Sequence, residues 1–223
     1  MCIRDRSEEF VSVYRMHPLL PEKFTVYSAE DGERDGKFRT ENTRDDEARE
    51  LVEEHGMADL LYSFGVSNPG ALTLRNYPKF LTDLEVPGGF IFDMGTVDVL
   101  RDRERGVPRY NDVRRSLLLE PIESFSDLTD DEDLIERLED VYDGDVEMLD
   151  LMVGTFAEGT RPTCYGFGET LFQVFTMLAT RRLQADRFFT DLYTADVYTR
   201  EGLDWVEDTT LADVLIRHYP ELE

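Results

Sequence analysis

Apolar residues recur every three or four positions through most of this chain, and no stretch alternates strictly between apolar and polar. Residues 168–189 carry the longest such run, with Leu171, Phe172, Val174, Phe175, Met177, Leu178 and Leu183. That spacing predicts a helix, and its apolar density through Leu178 predicts burial on most sides. Residues 45–64 repeat the pattern with Ala48, Leu51, Val52, Leu60 and Leu61. Further helices are expected over residues 8–20, ended by Pro18 and Pro21, over 71–84 with a break at Pro78, and over 90–105 with Gly106 as its stop. Thr129 and Glu132 fit a capping box that opens a helix to Tyr142; residues 145–158 read as another; Thr210 and Asp213 cap a last one to His218. Residues 27–44, polar and containing Gly32 and Gly36, read as a solvated loop. Asn68-Pro69 and Pro87-Gly88-Gly89 read as turns. No hairpin, repeat or low-complexity tract is expected. The fold class is mainly α.

A length of 223 residues, 41% of them hydrophobic, suits one domain with a real core. No apolar run reaches the length of a membrane span. The net charge is −25, from 49 acidic against 24 basic residues, which argues against nucleic acid or an anionic membrane as partner. Lys23, Lys37 and Lys79 are the only lysines, and arginine supplies the other basic groups. Dense Asp and Glu with few lysines is a salt-adapted pattern, so stability should rise with salt as self-repulsion is screened. Residues 1–7 lack the apolar core of a signal peptide and read as a non-native leader, with native sequence from Glu8 and an upstream portion missing. Cys2 and Cys164 imply no disulfide framework. His55 suits a helix end, His218 precedes Tyr219-Pro220, and neither has metal-ligand spacing. P-loop, GxGxxG, nucleophile-elbow and HExxH signatures are all absent from the sequence.

Three places can carry chemistry. In Tyr14-Arg15-Met16-His17, a helix would put the phenol and the imidazole on one face. A neutral imidazole is a good axial ligand for haem iron, and a phenol one turn away can be oxidised to a radical. A half-buried helix with a satisfied Tyr and His fits the same spacing. The run from Arg101 to Asn111 is a charged helix end, a glycine stop and a proline turn, with Asp98 three positions before it. Arg182, at the end of the longest apolar helix, could hold a carboxylate bidentately or pair with Asp186 four residues on.

These stretches carry a resemblance. Residues 8–21 resemble the proximal-haem helix of the animal-type haem peroxidase and cyclooxygenase superfamily. Residues 101–111 resemble its R-x-R-D/E-x-G-L/V-P-x-Y-N element, almost letter for letter in the form of the plant-type fatty-acid α-dioxygenases. Residues 168–190 resemble its C-terminal helix, with Thr180 where α-dioxygenases have the Ser of "SRRLEADRFF". The likeness runs from Glu8 to about Glu221, with the motifs in family order.

It implies the C-terminal portion of the mainly helical haem peroxidase fold. Tyr14 would be the radical, His17 the proximal haem-iron ligand, and Arg182 the group on the fatty-acid carboxylate. Asp98 stands where peroxidases have an Asn bonded to the second imidazole nitrogen. It would make His17 more electron-rich, unless it is one more surface acid. Arg101 would touch a haem propionate or form a structural ion pair, the latter preferred. The implied activity is haem-dependent α-oxygenation: peroxide activates the iron, Tyr14 is oxidised and removes hydrogen at C2, and O2 adds to give a 2-hydroperoxy fatty acid. The family's distal histidine and calcium-binding loop lie upstream of this match. Calcium is therefore expected only there, and this piece alone is expected to lack turnover. A haem peroxidase, a mid-chain fatty-acid dioxygenase and a non-catalytic helical remnant are the alternatives.

Overall fold

A computed structural model describes residues 7–86 and 88–223; the proposed leader falls outside them except for Ser7. In chain order the elements are α1 (Glu8–Val13), β1 (Lys23–Tyr27), β2 (Arg34–Arg39), α2 (Asp45–Val66), β3 (Leu84–Val86), β4 (Phe90–Phe92), α3 (Met94–Glu104), α4 (Tyr110–Ser116), α5 (Glu132–Val141), α6 (Leu151–Ala157), α7 (Glu169–Gln184), α8 (Ala195–Tyr198), α9 (Arg200–Asp208) and α10 (Leu211–His218). The fold is mainly α, as the apolar spacing predicts. The chain divides into two compact units: Met1–Leu20 with Gly70–Gln184, and Pro21–Pro69 with Ala185–Glu223.

In the first unit α1 packs against α3, α6 and α7, and α4 against α6. The core gathers Val13, Tyr110, Val113, Phe125, Leu149, Leu151, Leu171 and Val174. Ser7, at the edge of the proposed leader, caps α1 by accepting from Phe10 N. The helix expected over residues 8–20 is split: α1 ends at Val13, and His17–Leu19 form a separate 3-10 turn. Pro18 explains the break, since it has no N–H and disfavours helical geometry in the residue before it. The expected 71–84 helix is two 3-10 turns, Leu74–Asn76 and Lys79–Leu81. Residues 90–92 are a strand of the β3–β4 hairpin, paired Leu84 with Phe92 and Val86 with Phe90, and the helix begins only at α3. Asp131, not Thr129, caps α5, because the closer carboxylate accepts from Leu134 N. The expected 145–158 helix is a 3-10 turn, Val146–Met148, followed by α6. On α7 only Thr170, Leu171 and Val174 are buried and Met177 is exposed, so burial is one-sided rather than all round.

The second unit holds what the sequence reads as a loop. Strand β2 pairs antiparallel with β1, Phe24 opposite Phe38 and Val26 opposite Gly36, and the hairpin lies on α2 through Val26, Leu51 and Leu60. Ser63 Oγ accepts from Tyr27 N at 2.8 Å and Asp59 from Ala29 N at 2.8 Å, which ties the hairpin to the helix. The polar residues of β2 hid its strand character; Phe38 packing on Phe24 and His55 supplies it. Helix α2 is kinked at Gly56, whose φ of 77° suits only glycine readily. His55 closes the segment before that kink and pairs with Asp35. The capping box at Thr210 and Asp213 forms as read.

Candidate functional site

The His17 imidazole sits on the short turn that Pro18 creates, facing α3. Its polar contacts fall on Nδ1, which lies 3.4 Å from Asp98 Oδ2 and 3.4 Å from the Tyr77 hydroxyl. Burial pushes the His17 pKa below its ordinary value; Asp98 opposes this and Arg15 adds to it. The ring is therefore neutral near pH 7, with one nitrogen toward a carboxylate.

Asp98 is 2% exposed, and burial raises its pKa against the pull of Arg15, His17 and Arg101. Arg15 reaches Asp98 Oδ1 at 3.2 Å. Asp98 Oδ2 is buried and makes no hydrogen bond, only the 3.4 Å approach to Nδ1. A buried carboxylate oxygen aimed at one imidazole nitrogen leaves the other nitrogen to act as a ligand. Among the described residues no group of three or more His, Cys, Asp or Glu is placed to hold a bare metal ion. A haem needs only one protein ligand on a face, and His17 with Asp98 behind it fits that demand.

Helix α3 buries two of its acids. Asp98 and Asp102, one turn apart, face α1, where Ser12 Oγ donates to Asp102 at 2.5 Å. Arg101 lies 2.8 Å from Glu8. Tyr14 does not share a helix with His17, as the i, i+3 reading required; it is the C-cap of α1. Tyr14, 48% exposed, joins a cluster of three stacked rings, 5.0 Å from Phe10 and 5.9 Å from Phe175 of α7, which are themselves 6.4 Å apart. Arg182 lies exposed in the last turn of α7. Phe175 and Arg182, seven residues apart, share one face of that helix, about 10 Å along its axis. The structure thus joins His17 to Asp98 directly, and relates Tyr14 to the face of Arg182 through Phe175.

Sequence reasoning missed Arg15 and Tyr77. Arg15 lies inside the Tyr-x-x-His string, and its charge beside a histidine with a remote buried acid was the available signal. Tyr77, sixty positions from His17, gave none. The 101–111 string does structural work. Arg103 and Arg109 hold the buried Asp150, which also accepts from the Tyr142 hydroxyl. Asn111 bonds Ile122 through both its amide atoms. Tyr110 donates to the buried Glu158 at 2.5 Å, and Glu158 accepts from Thr170 N at the start of α7.

A neutral imidazole backed by a buried carboxylate is chemically suited to an axial haem ligand. The animal haem peroxidase family model matches residues 4–223, and the chain belongs to that family. Alpha-dioxygenase 1 of Arabidopsis thaliana is 43% identical over 97% of this chain and 36% of its own length. Alpha-dioxygenase PIOX of Nicotiana tabacum is 42% identical with the same coverage, 97% and 36%. The crystal structure of the Arabidopsis thaliana fatty acid alpha-dioxygenase matches with a TM-score of 0.87 at 42% identity, over 97% of this chain and 36% of that one. A tyrosine-to-phenylalanine variant of the Oryza sativa fatty acid alpha-dioxygenase with palmitic acid matches with a TM-score of 0.88 at 39% identity, over 97% and 38%. The chain spans about a third, 36%, of the length of these curated relatives.

Proposed function

We propose that Tyr14, His17, Asp98 and Arg182 serve a haem-dependent fatty-acid α-dioxygenase. The observation that carries this is the neutral His17 backed at Nδ1 by the buried Asp98, within a chain about 40% identical to enzymes of that name. Haem iron activated by peroxide would supply the one-electron oxidising power. His17 offers its second ring nitrogen as the ligand, and Asp98 holds the ring and raises its electron density.

Tyr14 gives up an electron and its phenolic proton, and its oxygen takes a hydrogen atom from the carbon beside the carboxylate. O2 adds to that carbon. The peroxyl oxygen takes a hydrogen atom to give the 2-hydroperoxy acid, which regenerates the tyrosyl radical if Tyr14 is the donor. Arg182 registers the substrate by its carboxylate. Arg182 shares the helix face of Phe175, against which Tyr14 stacks, and long helical side chains tend to lean back toward the helix N-terminus. A carboxylate held there presents C2 rather than a mid-chain carbon, and that positioning sets the regiochemistry.

Ligation is the first test. Haem added to the chain should give a Soret band that His17→Ala shifts and weakens; an unchanged band overturns the assignment of the ligand. Wherever turnover of a long-chain acid such as palmitate is measured, Tyr14→Phe should abolish it and leave haem uptake intact. A Tyr14→Phe protein that still oxygenates the acid overturns Tyr14 as the radical, and an enzyme whose whole activity survives that change is a peroxidase using only its distal side. Arg182→Gln should raise KM for the acid at least tenfold, the loss of one charged hydrogen-bonded pair.

A further inference from the structure

The segment from Gly70 to Pro78 is strapped to the turn that carries His17. Gly70 N donates to Leu19 O at 2.9 Å, and a β-carbon at Gly70 would run into the Pro18 carbonyl. Asn76 Nδ2 spans the Ala71 carbonyl at 3.1 Å and the Pro18 carbonyl at 3.4 Å, and Pro78 is fully buried. These anchors present Tyr77 edge-on to His17, ring centroids 5.6 Å apart and planes at 71°. The Tyr77 ring lies over Gly95, one turn of α3 before Asp98. Its hydroxyl and Asp98 Oδ2 therefore approach the same nitrogen, Nδ1, at the same 3.4 Å.

We propose that Tyr77 is a positioning residue whose hydroxyl competes with Asp98 for His17 Nδ1, and that the outcome decides which ring nitrogen offers a lone pair. The inference rests on the reading of His17 as the haem ligand. A neutral imidazole has one N–H and one lone pair. If Asp98 wins, Nδ1 carries the proton, the Tyr77 oxygen accepts from the same N–H, and Nε2 is free to ligate. If Tyr77 wins as donor, Nδ1 is the acceptor, Nε2 carries the proton and cannot ligate. The charge of Asp98 decides for the first arrangement, because charge-assisted bonds are the stronger kind. Tyr77 fixes the plane of the ring meanwhile.

The test compares wild type, Tyr77→Phe, Asp98→Ala and the double variant. In the haem-free chain, 15N shifts of the His17 ring read the tautomer; with haem added, a titration reads affinity. Wild type should hold its proton on Nδ1. Asp98→Ala should move it to Nε2 and weaken haem binding. Adding Tyr77→Phe to Asp98→Ala should draw the proton back from Nε2 and restore haem affinity about fivefold, the scale of one neutral hydrogen bond. A Tyr77→Phe effect of the same sign and size in both backgrounds marks a merely structural role and overturns the proposal, as does no tautomer shift in either. Should Asp98→Ala lose its fold, Asp98→Leu, close in size and unable to accept from Nδ1–H, carries the same comparison with Tyr77 in place. If His17→Ala keeps the wild-type Soret band, the ligand reading fails, and the haem-free nitrogen shifts still decide for or against Tyr77.

Discussion

Glu158 shows how one buried carboxyl ties several elements together. It accepts from the Tyr110 hydroxyl, from Thr170 and from Arg114, and a β-carbon on Gly168 would run into it. Burial raises its pKa above the ordinary glutamate value, against the pull of those partners. Asp98 and Asp102 are raised with the same leading cause. A raised folded-state pKa means that, above the ordinary carboxylate range, the folded chain holds protons the unfolded chain has released. The stability linked to those protons is fully present below the unfolded pKa and is lost as pH rises through the folded one. Asp93, Asp127, Asp131 and Asp213 are lowered by hydrogen bonds and run the other way, losing their contribution as pH falls. Through these carboxyl groups Tm should rise as pH is lowered from 7 toward the ordinary carboxylate range and then fall in stronger acid, with His17, whose pKa is lowered, opposing the rise below about 6.5. Glu158→Gln should flatten part of the rise between 7 and about 5. A wild-type Tm that climbs with pH over that interval contradicts this.

At the scale of elements, short-range rules succeeded where no neighbour competed. Thr210 and Asp213 were legible as a capping box, and both bonds form: Asp213 N to Thr210 Oγ1 at 3.2 Å and Thr210 N to Asp213 Oδ2 at 2.7 Å. Thr210→Ala should cost about 1 kcal/mol and speed amide exchange over residues 211–218 first; uniform loss over the whole chain would count against local capping. The same signature at Thr129 and Glu132 misled, because Asp131 stood closer to the free N–H groups. Periodicity alone could not see that Pro18 divides the first helix. Nor could it see that β2, polar by composition, is a strand because β1 and α2 pack on it.

For the molecule as a whole, the dominant physical fact is a net charge of −25 on 223 residues. Like charges repel in the folded state and salt screens them within about 10 Å at ordinary ionic strength. Melting temperature should therefore rise from low to molar sodium chloride, and an equal Tm at both ends would dismiss the salt-adapted reading. Each compact unit draws on two separated stretches of sequence, an arrangement no local pattern announces. His17, Asp98, Tyr14 and Arg182 nonetheless all reside in the first unit, while the third motif, residues 168–190, runs on past Gln184 into the second.

The sequence by itself determined that this chain is mainly helical, where its last helix is capped, and which short strings carry its family likeness. Those features follow from bonds and spacings within a few positions. Tertiary structure alone decided that Asp98 is buried behind His17, that Arg15 and Tyr77 share that environment, and that Arg101 belongs to Glu8. It also decided that Tyr14 meets the face of Arg182 through Phe175. Apart from Arg15, these partners are separated by 60 to 161 positions. An acidic residue among 49 becomes a partner for imidazole only when packing removes it from water.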